Sequence, residues 1–448
     1  TKKLLVIDDE ADFASVGFNK AKGEAVEMRK VARQIDELRT TVNACGFLQV
    51  TATPYSLYLQ PEDLKIKETD QVFKPVKPAF TVLLPTYPGY VGGDFYFRDS
   101  ADETSIAYHV FQEIPHDELQ ILKKQDRRSF KLEEVLTSPR IRALRAAAMT
   151  FIVGGCLRRL QQEGKGEICR KYAFVVHTES SRLAHRWQEE IVTELIRQLT
   201  DASTAKQALL RKLVQEAYAH LAQSIRMMGA QFPTEQQVQD KVVQALNDGY
   251  VMITKVNSEA EAEQLLDDGG QLKLTTPLNL FIGGQILDRG ITIENLIGFY
   301  YGRRPDRFQQ DTVLQHSRMY GNRSPDDLAV TRFYTSRAIH EVMRRINEFD
   351  SALREVLESH PQDDGVVFLQ ADPSNRVITG SPNKILLSTT TTLRPFKRML
   401  PVGFQTGYKT KIQDDLSELD RMIDGTEPVG NQGEPFLVDV QLAKLIVD

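Results

Sequence analysis

Cysteine is scarce in this chain. Cys45, Cys156 and Cys169 are the three present, they form no CxxC pair, and no histidine cluster stands beside them. The sequence therefore offers no disulfide framework and no structural zinc site, and a reducing cytoplasm is the expected setting. Long apolar runs are missing too. The longest, residues 146–157, is bracketed by Arg145 and Arg158 and falls short of the roughly 20 residues that a membrane span requires. No signal-peptide pattern precedes the first apolar run. Charge of one sign is also lacking: the formal net charge is −5. Any contact with nucleic acid must then come from a local positive groove rather than from whole-chain attraction. What is present is ordinary for a globular protein, with 41% hydrophobic and 26% charged residues over 448 positions, enough for two or three cores.

Residues 4–7, Leu-Leu-Val-Ile, read as a buried strand that begins within three residues of Thr1. A natural domain rarely starts inside its central sheet, so the chain is expected to be part of something longer. Residues 24–42 predict a helix and 47–50 a second strand, an order that suggests a parallel α/β sheet. Prolines and the Gly92-Gly93 pair punctuate residues 55–137, which predicts loops and short strands inserted around a first lobe. Ser138-Pro139 opens a helix with a capping hydroxyl and a first-turn proline. A second α/β unit follows, with strands expected over 172–176, 250–256, 278–282 and 297–301. Helices are expected over 181–199 and 336–359, the latter with Ile339, Met343, Ile346, Phe349, Leu353 and Val356 on one stripe. Helices within 204–247 read as an insertion, broken at Gly229 and Pro233. Residues 361–448 read as a small C-terminal accessory module.

The run Val6-Ile7-Asp8-Asp9-Glu10-Ala11-Asp12 ends a strand in carboxylates. In an open α/β sheet that is the edge where ligands bind. In nucleoside-triphosphate hydrolysis one such Asp holds Mg²⁺ and the adjacent Glu polarises the attacking water, which makes Asp9 the metal-side residue and Glu10 the candidate general base. A solvated acidic turn is the bland alternative. The segment also resembles the opening of a response-regulator receiver domain. That reading needs an Asp after the second strand, where Thr51-Ala52-Thr53-Pro54 stands instead.

Thr51-Ala52-Thr53 is similar to the Ser/Thr-Ala-Thr motif that follows the DEAD box of superfamily-2 helicases by one helix and one strand. There the hydroxyls can hydrogen-bond the acidic motif. Asp288-Arg289-Gly290-Ile291-Thr292 resembles helicase motif V, whose glycine lets the backbone approach a phosphate. Gln315, Arg318 and Arg323 resemble motif VI, in which an arginine neutralises charge on the transferred phosphoryl group. The usual spacing puts the first Arg four residues after the Gln and the second three later. Arg318 stands three after Gln315 and Arg323 five after that, so either arginine can be the one facing the nucleotide.

Taken together, Ile282-Gly283-Gly284, the segment from Leu287 to Glu294, Tyr301, Arg303, Asp311-Thr312, Leu314-Gln315, Arg318, Gly321 and Arg323 resemble the Z-one domain. Val175-Val176-His177-Thr178 and Val256-Asn257-Ser258 are similar to its earlier strand ends. Endonuclease activity is ascribed to that family, which is joined to a superfamily-2 helicase in bacterial restriction and phage-defence proteins. The resemblance implies an α/β protein of two RecA-like parallel-sheet lobes, the first truncated at its N-terminus (1–137) and the second over 138–360. It implies an ATP-dependent helicase or translocase acting on DNA with Mg²⁺, working with other subunits of a defence complex. Catalytic roles would fall to Glu10, Asp9, Gln315, Arg318 and Arg323, and nucleotide contacts to Asp12, Thr51, Thr53, Asp288, Gly290 and Thr292.

Two features cut against a complete enzyme. No GxxxxGK[ST] phosphate-binding loop occurs in the 448 residues, so an upstream segment is expected to supply the backbone amides and lysine for the β- and γ-phosphates. Otherwise the chain is a non-hydrolysing nucleic-acid-binding or assembly subunit or, as a third reading, a metal-dependent endonuclease. No PD-(D/E)xK or His-Asn-His set is visible to carry nuclease chemistry. His177, His185 and His316 read as packed or surface residues.

Overall fold

A computed structural model describes residues 3–12, 18–20, 26–28, 30–42, 45–54, 57, 64–65, 72–73, 78–125, 130–229, 232–284, 291–305, 307–317, 319–359, 377–378, 417 and 421. The chain divides into a unit over Thr1–Leu386 and another over Leu387–Asp448. The expected accessory module at 361–448 lies almost wholly outside the described residues.

Near the N-terminus β1 (Leu4–Asp9) pairs in parallel with β2 (Cys45–Val50), and α1 (Lys30–Thr40) connects them. The expected strand–helix–strand order is present, but the expected helix starts later. Residues Phe18–Lys20 and Val26–Met28 form a short antiparallel pair where part of that helix was predicted. Val26 and the residues around it lack the continuous 3.6 periodicity that begins with α1. Side chains alternate along both strands of the parallel pair, and Leu5, Ile7, Leu48 and Val50 on one face are exposed.

The larger architecture is a six-stranded parallel sheet between two helical layers. Its strands are β3 (Phe111–Glu113), β4 (Tyr172–His177), β5 (Val251–Lys255), β6 (Leu278–Ile282), β7 (Leu296–Tyr301) and β8 (Arg332–Thr335), in the order β5-β6-β4-β7-β8-β3. Every residue of β4, β6, β7 and β8 is buried, as expected for parallel strands covered on both faces. Residues Phe111–Glu113 thus belong to this sheet, on the far side of the division anticipated at residue 138. Three residues carry too short a pattern to announce a strand.

Tyr172, Phe174, Val176, Leu280 and Tyr300 face one layer. It is built from α2 (His116–Lys123), α3 (Arg142–Lys165), α4 (Arg182–Ala205), α5 (Gln207–Met227) and α6 (Glu235–Asn247). The Ser138 hydroxyl accepts from the Arg140 amide to start the turn before α3, and Gly166, at φ 70°, ends that helix. A reciprocal Thr234–Gln237 capping box starts α6. The helices anticipated as an insertion pack through Leu210, Val214, Leu221, Val238 and Val242 into the same core as α3. They form part of the layer that covers this face of the sheet. Ala173, Val175, Phe281, Phe299 and Phe333 face the opposite layer, where Ile339, Met343, Ile346 and Phe349 of α9 (Arg337–Ser359) supply the expected stripe, and Leu353 further along that helix is buried. Before it come α7 (Gln310–His316) and α8 (Pro325–Val330).

Candidate functional site

The acidic motif sits at the carboxyl end of β1. Asp8 is buried, Asp9 is exposed, and Glu10 takes a positive φ of 56°, which turns the chain back beside β2. The Ala11 amide then donates to the Val50 carbonyl at 3.0 Å. A left-handed backbone is unusual for a glutamate, and residues held in sparsely populated conformations cluster at functional sites. Asp12 is 1% exposed. Its two carboxylate oxygens accept from the Thr51 hydroxyl at 3.0 Å and from the Thr53 hydroxyl at 2.9 Å, and the Thr53 amide donates to Thr51 Oγ1 at 3.0 Å. A carboxylate can only accept, so two hydroxyl donors meet the need of a buried charge. Asp9, Glu10, Asp12, Thr51 and Thr53 are thus brought together across the β1–β2 pair, although residues 9 and 53 are distant in sequence.

A second assembly lies at the carboxyl edge of the six-stranded sheet, where the strand order reverses between β4 and β7. The chain leaves β4 at His177-Thr178, β6 at Gly283-Gly284 and β7 at Gly302. The Gly302 amide donates to the His177 carbonyl at 2.9 Å and the Gly283 amide to Val176 O at 3.1 Å. Gly283 has φ 136°, and a Cβ there would lie 2.0 Å from the Val256 carbonyl oxygen. A Cβ on Gly284 would meet the His177 ring at 2.7 Å. Both glycines are therefore required for β6 to end against β4 and the loop after β5. His185 sits beneath, its Nδ1 2.8 Å from Asn257 Oδ1 and its Nε2 2.6 Å from the Glu179 carbonyl. His177 and His185 are both buried, as packed histidines should be. The sequence signal missed here is the Asn257 partnership, which no local spacing reveals.

The remaining expected site residues separate. Asp288, Gly290 and Arg318 lie outside the described residues. Gln315 is the penultimate residue of α7. Thr292 is exposed, and its backbone bridges to Gln271 and Leu272 at the surface. Arg323 is 9% exposed, with Nε donating to the Met319 carbonyl at 3.4 Å. Burial pulls its guanidinium below the usual range. It follows α7 as part of a packed segment that includes Tyr96 and Tyr320, rather than standing out from the sheet edge.

The profile of the Z1 domain matches residues 143–366, half of the chain. The chain belongs to the Z1 domain family. The matched region starts at the second residue of α3 and takes in β4 through β8, while β3 lies outside it. Comparison with curated proteins and with solved structures returned no match. Among the described residues no helix is long and apolar enough to cross a membrane.

Proposed function

We propose that the Z1 domain works as the second lobe of a nucleoside-triphosphate-driven translocase on DNA, with the acidic motif at residues 8–12 as the hydrolytic edge of the first lobe. The observation that carries this reading is the Asp12 carboxylate held by Thr51 and Thr53. It joins the acidic motif and the Thr-Ala-Thr segment into one unit, the arrangement that the helicase resemblance implies. It also leaves Asp9 exposed at the end of a parallel strand, where a carboxylate can hold a metal through water.

The residues fit the metal side of a Mg²⁺–ATP site and not its phosphate side. Asp9 would hold the cation, which when bound neutralises charge on the phosphates. Glu10 is placed one residue on to orient or deprotonate water. The reading requires phosphate-binding amides and a lysine from a segment other than these 448 residues. It also requires an arginine from α7 or its neighbourhood, and the burial of Arg323 favours Arg318 for that role.

The missing phosphate loop also favours a second reading, a non-hydrolysing DNA-binding or assembly subunit of a restriction or defence complex. One experiment separates the two. In the full-length protein, Glu10→Gln is expected to lower DNA-stimulated ATP turnover by roughly a hundredfold or more while sparing nucleotide binding. Turnover that persists at the wild-type rate removes Glu10 from the chemistry. No turnover in either protein leaves the assembly reading standing.

A further inference from the structure

A cavity of about 420 Å³ opens at the carboxyl edge of β7, β8 and β3, apart from the acidic motif and from the glycine pair. It is lined by His116, Gln120 and Lys123 from α2, by Arg304, Pro305 and Phe308 after β7, and by Ala338 and Val342 from α9. From this geometry we infer a binding site for a phosphate monoester, the dianionic end group of a nucleotide or other phosphorylated small molecule.

Five observations support it. His116, Gln120 and Lys123 recur at helical spacing, so α2 presents one polar wall to the cavity, in which Gln120 Nε2 lies 3.3 Å from His116 Nε2. Arg304 stands opposite, exposed, and among the described residues it has no carboxylate partner. Lys123 is already bridged to Glu179 at 2.8 Å, and Arg337 at the mouth of α9 to Glu113 at 3.0 Å. Arg304 is thus the cation left to meet a ligand, with a planar donor fork suited to phosphate oxygens.

Both helices also bring their amino ends to the cavity, α2 at His116 and α9 at Ala338. No side chain caps α2, so its first-turn amides are open to an acceptor, while Asp117 and Glu118 of that turn lie outside the lining. None of the described lining residues is acidic. The floor of Phe308 and Val342 is buried and excludes water from one side, which strengthens each ionic contact. Donors converging from three elements on a cup suit a terminal dianion. A chain of diesters carries one charge per group and would instead call for an open track.

The site is tested on the 448-residue chain in EDTA, so that no metal-dependent nucleotide site contributes. Line broadening in phosphorus-31 NMR would be followed for glycerol 3-phosphate, adenosine 5′-monophosphate and dimethyl phosphate. Both monoesters are expected to bind and the diester not, with tighter binding of the nucleotide marking it as the natural source. Arg304→Gln should weaken monoester binding by about tenfold. Ala338→Asp should abolish it while leaving the melting temperature unchanged or raised, because an acidic residue in a first helical turn favours the helix. Binding that both variants retain, or binding of the diester alone, overturns the site. The outcome is independent of the Glu10 experiment.

Discussion

Glu118 shows how much one side chain can organise. It is 1% exposed, and its carboxylate accepts from the Ala143 and Leu144 amides, at 2.8 Å and 2.6 Å, and from the Tyr300 hydroxyl at 3.0 Å. It caps α3 from another helix. Burial pushes its pKa up to about 7, against the downward pull of those donors. The folded protein therefore holds a proton that the unfolded chain releases near pH 4.5. This contribution is complete below that pH and is lost as the pH rises through about 7. Unfolding free energy should fall over this window by on the order of 2 kcal/mol, and Glu118→Gln should flatten that slope in urea titrations at pH 5 and pH 7.5. An unchanged slope would assign it to other groups. Nothing local in the sequence foretold this residue, because all three of its donors lie far along the chain. The Asp12–Thr51–Thr53 cluster was more legible, since one helix and one strand separate its parts and both ends carry a recognisable motif.

At the scale of elements, the strands expected over 172–176, 278–282 and 297–301 were readable as short, mainly apolar runs between turns. Strand β8 was not. It opens on Arg332, which is fully buried in the sheet and pulled down to about 10 by burial. Its two terminal nitrogens donate to the carbonyls of Ala329, Thr331 and His220 and to the Ser224 hydroxyl oxygen, a set contributed largely by α5 and α8, while its buried Nε has no hydrogen-bond partner among the described residues. A charge at the head of a strand hides it from pattern reading, although Ser324-Pro325-Asp326-Asp327 was an available start signal for α8.

Helix α3 is tied to α8 and β4 by a comparable buried group. Arg158 Nε lies 2.8 Å from Asp327 Oδ1, which also accepts from the Tyr172 hydroxyl at 3.1 Å. Arg158→Met should cost about 3–5 kcal/mol by stranding Asp327. Arg158→Met combined with Asp327→Leu should recover much of that loss, and equal losses in the two variants would show that the pair does not act as one unit. In the same helix a Cβ on Gly155 would lie 2.3 Å from Leu278 Cδ2. Gly155→Ala should therefore lower stability by about 1–3 kcal/mol in chemical denaturation.

At the scale of the molecule, the six-stranded sheet and the β1–β2 pair differ in how they are covered. The six-stranded sheet is buried on both faces, while the β1–β2 pair shows Leu5, Ile7, Leu48 and Val50 to solvent. An isolated pair of strands is marginal, and local opening is cheapest where few apolar contacts are made. Amide hydrogen exchange should accordingly be slowest in β4, β6 and β7 and much faster in β1 and β2. Matching protection across the two sheets would contradict this ordering.

The position of β3 has one more consequence. It is the first of the six strands to be synthesised, yet its sheet contact is with β8, the last. During translation Phe111–Glu113 has no neighbour to join until Arg332–Thr335 has been made, so the sheet can be completed on that side only late, and a chain halted before residue 332 carries an edge with no seat for its earliest strand.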